Sequence, residues 1–268
     1  MNNDTMIKLN VKHTYTKIAT QTREENNASC CGAGSSCGDI DYSIFSEDYS
    51  KEEGYFADAD MGVGCGMPVK FSGIKAGDTV VDLGSGAGND VFVARKQCGE
   101  SGHVIGVDMT PAMIERAKAN NQKLGYSNVE FRLGEIENLP VENGSVDAVI
   151  SNCVLNLVPD KQKAFQEIYR ILKSGGHFSI SDIVIEGKLP ESALSAAELY
   201  AGCVSGALER DVYLSFIEKT GFKEIEVLSS KTINIPESIL AEYLKPDDLE
   251  EFKKSKTEIQ SITVRAVK

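Results

Sequence analysis

Five short apolar runs recur along the middle of the chain. Thr79-Val80-Val81-Asp82-Leu83 comes first, then His103 to Asp108, Asn128 to Leu133, Ser145 to Ser151 and Gly176 to Ile185. Each has a strand's length and carries apolar residues through its middle, and the first reads as a buried strand. Between them lie segments with helical spacing: Asp90 to Lys96, the stretch opened by Thr110-Pro111, and Lys161 to Leu172, where Ala164, Ile168, Ile171 and Leu172 share one side. Thr110 suits an N-cap and Pro111 the first helical position. Short strands alternating with helices predict an α/β protein with a doubly wound parallel sheet.

The ends of the chain break the alternation. Val11, Tyr15 and Ile18 are spaced like one face of a short helix. Asn26 to Gly38 is a loop by composition, and Tyr49 to Gly66 is polar, glycine-containing and irregular. Residues 193–220 read as mostly helical. Phe222 to Leu228 and Ile259 to Val267 read as late strands, and Ile235 to Lys256 is charged with two prolines. The expected organisation is an N-terminal cap with a cysteine-containing loop over 1–68, a nucleotide-binding core over 69–190, and a helix plus short C-terminal extension over 191–268.

Charge narrows the partners. The 268 residues carry a net charge of −12, which argues against nucleic acid or an anionic membrane as a main partner. No apolar run approaches the roughly 20 residues that cross a bilayer. Met1 to Thr14 has no apolar leader core, so a cytoplasmic location is expected. There the seven cysteines are expected as thiols serving as core filler, soft ligands or redox groups.

The first strand ends in Asp82 and runs into Gly84-Ser85-Gly86-Ala87-Gly88, a turn whose glycines let backbone approach a ligand closely. A plain strand-to-helix turn has the same look. Asp108, ending the second strand, sits where a carboxylate accepts hydrogen bonds from ribose hydroxyls. Gly134-Glu135-Ile136 after the third strand can meet an adenine edge. Asn89 stands where a dinucleotide fingerprint wants glycine, and Asp82 faces a pyrophosphate badly but a methionyl ammonium well. S-adenosylmethionine is therefore favoured over a dinucleotide.

The runs VVDLGSGAGND, VIGVDMTPAMIERAK, GEIENLPVENGSVDAVISN and ILKSGGHFSISD resemble, in order, the motifs of class I S-adenosylmethionine methyltransferases. The resemblance implies Asp82, Gly84 and Gly86 around the methionine part, Asp108 on the ribose, Met109 against adenine, and Glu135 and Ile136 near the adenine edge. Ser85 and Asn152 are grouped with these cofactor-binding residues.

The cysteines point to the substrate. Cys65 lies in GVGCGMP before the first strand, Cys153 in SNCVLNL after the fourth, and Cys203 in AELYAGCVSGAL further on. These places, with SCCGAGSSCGD near the N-terminus, resemble the arsenite methyltransferase family. The resemblance implies that Cys65, Cys153 and Cys203 hold trivalent arsenic. It also implies that Cys37 pairs with Cys65 during the cycle and that thioredoxin or glutathione restores the thiols. Cys30 and Cys31 resemble an adjacent pair in some bacterial relatives, able to capture arsenite or its thiol adducts. The chemistry agrees: thiolate is the soft ligand among side chains, and the lone pair of As(III) can take a methyl without losing a proton. Cys98, after the glycine turn, reads as core.

Other readings remain for the thiols. Each of Cys153 and Cys203 alone can be a buried apolar filler, and Cys30, Cys31 and Cys37 can contribute to a zinc site, although an adjacent pair fits that geometry poorly. A methyltransferase of an organic small molecule and a non-catalytic arsenite-binding protein are the rival functions. The C-terminal region is shorter than in much of the family, and Ala87 and Asn89 stand where many relatives carry bulkier or charged residues.

Overall fold

The computed structural model describes residues 3–21, 47–187, 206–234, 246–255 and 257–268. Helix α1 (Asn3–Thr20) opens the chain and is longer than the expected short helix. Two 3-10 turns, Tyr49–Lys51 and Ala57–Ala59, interrupt the irregular segment that leads to the single turn α2 (Pro68–Phe71). The alternation then runs β1 (Thr79–Leu83), α3 (Asn89–Cys98), β2 (His103–Asp108), α4 (Pro111–Leu124), β3 (Val129–Leu133), β4 (Val146–Asn152), α5 (Lys161–Ile171) and β5 (Leu172–Glu186). A two-residue strand β6 (Leu208–Glu209), helix α6 (Arg210–Thr220), β7 (Lys223–Ile233), α7 (Pro246–Lys254) and β8 (Glu258–Val267) complete it.

The sheet has the order β3-β2-β1-β4-β5-β8-β7, with β6 beside β5. The pairings from β3 to β5 are parallel, while β8 runs antiparallel to both β5 and β7. The expected parallel sheet is thus a mixed one, closed by the late strands. Successive strand residues serve opposite faces, as the two-residue period requires. Val80, Val104, Ala148 and Ile150 join the core beneath α3 and α4. Val81, Ile105, Val149 and Ile180 join the core beneath α5 and α6. That double cover explains the consecutive apolar residues of β1, β2 and β4.

Chain direction fixes where a ligand can enter. From β1 the chain adds β2 and β3 on one side, then returns to place β4 and β5 on the other. The strand order therefore reverses between β1 and β4, and a crevice opens at their carboxyl ends. Leu83 pairs with Ser151 there, so Gly84 and Asn152 flank the same crevice. Among the described residues no helix is long and apolar enough to cross a membrane.

Thr110 precedes α4 as expected, but its side chain makes no capping hydrogen bond. Instead its backbone N–H donates to Asp108 Oδ1 at 2.8 Å. The nearby carboxylate takes over the job of fixing the helix entry.

Candidate active site

At the crevice a cavity of about 1170 Å³, open mouth included, is lined by Asp82, Gly84, Ser85, Gly86, Asp108, Met109, Ile136 and Asn152. Every residue placed with the cofactor from sequence lines it except Glu135. The Glu135 carboxylate turns away, is about half exposed, and pairs with Lys8 of α1 at 2.7 Å. Glu137, two residues on, lines the cavity and pairs with the same ammonium at 2.9 Å. Side chains past a strand end diverge, and nothing in the sequence marks which of these two carboxylates points inward.

The glycine turn is built for close approach. Gly84 and Gly86 have φ of +68° and +50°, a region costly for residues with a Cβ. A Cβ on Gly84 would strike Val154, whereas one on Gly86 would meet no protein atom within 4 Å. Asp108 Oδ2 accepts the Gly86 N–H at 3.0 Å, which ties the turn to β2.

Carboxylates crowd the cavity. Asp82 is buried at the end of β1, and burial, with Asp90 and Asp108 nearby, pushes its pKa well above the ordinary value. Asp90, on the first turn of α3, is pushed up to about 6 by burial, against hydrogen bonds from Tyr49 and Asn152 that favour its charge. Tyr49 Oη donates to Asp90 Oδ1 at 2.6 Å. Burying acidic groups this close is costly unless a cation joins them. The buried Ser85 Oγ and Asn89 Oδ1 have no hydrogen-bond partner among the described residues. A ligand carrying hydroxyls, amines and positive charge answers both needs, and S-adenosylmethionine, with a sulfonium and an ammonium, is such a ligand.

The thiols lie on the β4 side of the same crevice. Cys65 and Cys153 are joined as a disulfide, with Cα atoms 5.7 Å apart. This differs from the expectation that these cysteines are thiols; the pairing of Cys37 with Cys65 expected during the cycle involves a residue outside the described ones. The reason is local. Cys153 follows β4 in a left-handed conformation, φ 62°, a backbone state that costs a non-glycine residue about 1–2 kcal/mol. Its N–H donates to Ser181 O of β5 at 2.7 Å. Residues 62–67 descend onto that turn.

Asn152 holds them there. Its Oδ1 accepts the N–H groups of Cys65 and Gly66 at 3.1 and 3.2 Å. Its Nδ2 donates to Gly66 O at 2.8 Å and Tyr49 Oη at 3.1 Å. Gly64 leaves the room, since a Cβ there would lie 2.7 Å from Nδ2. The side chain grouped with the cofactor residues thus spends most of its hydrogen bonds on the Cys65 loop. Cys65 and Cys153 are 3% and 2% exposed, so little water reaches either sulfur.

Cys30, Cys31, Cys37 and Cys203 lie outside the described residues. Cys98 is a free, fully buried thiol packed in the core beneath α3, as its sequence position suggested. The sequence reading missed Tyr49, Asp90 and Glu137. Asp90 alone had a signal, an acidic residue on the first turn of a helix entered from a glycine turn.

A reversed strand order, a glycine turn after an acidic strand end and an acidic cavity are the build of the class I methyltransferase fold. The model of a methyltransferase domain family matches residues 74–236. An arsenite methyltransferase of Halobacterium salinarum is 42% identical over 81% of this chain and 57% of that protein. One from Aquipseudomonas alcaligenes is 32% identical over 87% of this chain and 67% of its own length. The crystal structure of an arsenic(III) S-adenosylmethionine methyltransferase from Chlamydomonas reinhardtii superposes with a TM-score of 0.66 at 36% identity, covering 84% of this chain and 72% of that one. The chain belongs to the arsenite methyltransferase family. It spans little more than half the length of the Halobacterium relative.

Proposed function

We propose that the protein transfers a methyl group from S-adenosylmethionine to trivalent arsenic held by Cys65, Cys153 and Cys203. The observation that carries this reading is the meeting of Cys65 and Cys153, brought from loop and strand to sulfur contact beside the cofactor crevice, whose wall their neighbours Gly64, Asn152 and Val154 line. Gly206, the third residue after Cys203, lies against the Asn156 carbonyl, itself three residues after Cys153.

Bound S-adenosylmethionine supplies an electrophilic methyl on a sulfonium, for which the lone pair of As(III) is the acceptor. Asp82, Gly84 and Gly86 would hold its methionine part, Asp108 the ribose, and Met109 and Ile136 the adenine. The chain's own work is positioning. Each thiol that bonds to arsenic passes its proton to the hydroxide or thiolate it displaces, so arsenite and its thiol adducts both serve as substrate. Attachment to buried thiolates fixes arsenic in the crevice and excludes water. Arsenic has no proton to lose, so this step needs no general base.

Transfer leaves pentavalent arsenic. Two thiolates that each give one electron return it to the trivalent state and join as a disulfide. In our reading Cys37 pairs with Cys65 in this step, and the bond between Cys65 and Cys153 supports the idea that disulfide states belong to the site. Thioredoxin or glutathione would then restore the thiols, which suits a cytoplasmic enzyme. The net charge of −12 favours small neutral or cationic ligands over nucleic acid.

The test is direct. Protein, arsenite, S-adenosylmethionine and a thiol are incubated and the arsenic is speciated. Methylated arsenic, lost on Cys153→Ser, is expected. Folded protein that yields none overturns the reading, and Cys153→Ser at full rate assigns the chain to an organic substrate.

A further inference from the structure

On the opposite face of β5 from the Cys65 loop lies a second buried polar group. Asp182, fully buried beside Ser181, accepts the hydroxyl of Tyr213 from α6 on Oδ2 at 2.9 Å. Its Oδ1 has no partner among the described residues. Burial pushes the Asp182 carboxyl up to about 7, against the Tyr213 hydroxyl and the field of the Lys161 ammonium, which favour its charged form. Lys161 Nζ in turn donates to Asn156 O at 3.2 Å and Val158 O at 3.1 Å, which closes the turn that follows Cys153. Asn156 Nδ2 donates to Ile183 O at 2.9 Å and pins that turn to β5.

The other arsenic ligand's chain returns to the same spot. Gly206 sits so close to the Asn156 carbonyl that no Cβ fits. From there β6 pairs with β5 through Val184 and Leu208. Tyr213 follows in α6, edge-on to Phe165 at 5.8 Å. The rest of this face is apolar, with Ile168, Phe178, Ile180 and Ile217 all buried. An apolar trio of the same volume would hold such a core at least as well, because buried charges lose their hydration. What these side chains add is directional bonding at one point, where the turn after Cys153 meets the chain after Cys203.

We propose that Asp182 is a positioning residue of the arsenic site: with Tyr213 and Lys161 it locks the turn after Cys153 against the chain that runs from Gly206 into α6, and so sets where the Cys153 thiol meets arsenic. The proposal rests on the arsenic-binding reading given above. It concerns affinity for the substrate, since Asp182, Tyr213 and Lys161 do not line the cofactor cavity.

Arsenite KM, S-adenosylmethionine KM, kcat and thermal midpoint are measured for wild type, Tyr213→Phe, Asp182→Asn and the pair Asp182→Asn with Lys161→Met. Removing a hydrogen bond to a charged group changes affinity about tenfold. Tyr213→Phe deletes one hydroxyl from an intact core. It is expected to raise arsenite KM by about that factor while the S-adenosylmethionine KM stays within about twofold. Asp182→Asn is expected to do the same and to lower the midpoint, because it strands the Lys161 charge. Adding Lys161→Met is expected to recover the midpoint but not the KM, since directional bonding stays lost. Wild-type arsenite KM in Tyr213→Phe overturns the proposal, as does a KM that returns together with the midpoint in the double variant. A wild-type protein that makes no methylated arsenic overturns the arsenic reading instead, which separates the two failures.

Discussion

Asn152 Oδ1 accepts the backbone N–H of Cys65 at 3.1 Å, and Asn152 is the residue before Cys153. One amide therefore links the two sulfur-bearing segments through a single peptide unit. Rotation of that amide is fixed by its other bonds, to Gly66 and Tyr49. Because Tyr49 also holds Asp90, the thiol loop and the acidic cavity share one hydrogen-bonded chain.

Asn152→Ala breaks that link and leaves the Cys65 and Gly66 N–H groups without their acceptor. Each lost bond of this kind costs about 1 kcal/mol, so arsenite kcat/KM is expected to fall about 30- to 100-fold. Binding of S-adenosylhomocysteine, followed by calorimetry, should weaken no more than about threefold. A loss confined to cofactor binding would return Asn152 to the role expected from sequence.

Cofactor affinity should depend on acidity through Asp90, whose pKa is pushed up to about 6 by burial. A bound cation favours the ionised carboxylate, so S-adenosylmethionine should bind more weakly as pH falls from 7 to 5, up to about tenfold per unit below the pKa of the free protein. Binding near pH 6 should release protons, which calorimetry in two buffers of different ionisation enthalpy measures. The raised pKa also means that the ligand-free protein loses stability as pH rises through about 6. Asp82, Asp60 and Tyr49 surround the group and stay in place in Asp90→Asn, so that variant should flatten the pH dependence, leaving the contributions of Asp82 and Asp108. An unchanged pH profile would assign the titration elsewhere.

The apolar runs made the sheet legible in sequence. Val80 and Val81 serve opposite cores, and that requirement writes itself as consecutive β-branched residues. The glycine turn was equally legible, since Gly84 and Gly86 hold backbone angles few other residues accept. The late antiparallel strands showed as apolar alternation, but nothing local said that β8 would insert between β5 and β7. The direction of a side chain past a strand end was illegible. Glu135 and Glu137 are chemically alike, and only the place of Lys8 on a distant helix separates them. A direct bond between Cys65 and Cys153 was illegible for the same reason: contact between residues so far apart in sequence depends on how Asn152, Gly64 and Gly66 seat the loop.

The bond between Cys65 and Cys153 makes a chemical prediction. With those sulfurs joined, neither can hold arsenic, so protein isolated without reductant should bind no arsenite at this pair. Mass mapping should then show the peptides of Cys65 and Cys153 linked. A phosphine reductant should open the link and restore methylation, and arsenite added beforehand should protect both thiols from alkylation. Cys98→Ser should behave as wild type throughout, because that thiol is buried beneath α3 and away from the crevice. Full activity with the link intact would remove these two sulfurs from the site.

Lys8 supplies the last prediction. Through it α1 is fastened across the cavity to Glu135 and Glu137, while Arg116 of α4 donates to the carbonyls of Ala19 and Gln21 at the other end of the helix. Val11 and Tyr15 of α1 line the cavity wall, so the helix is expected to cover bound cofactor and to shift when the product leaves. Glu137 is nearly buried and Lys8 only partly exposed, which places the pair above an ordinary surface bridge but below a dry one. A value of about 1 kcal/mol follows. Lys8→Ala should therefore speed release of S-adenosylhomocysteine about fivefold, measured by stopped-flow displacement. Salt should have the same effect on wild type and little on the variant, because screening removes only what the substitution has left. If release is unchanged in both, α1 is a fixed wall and product departs by another route.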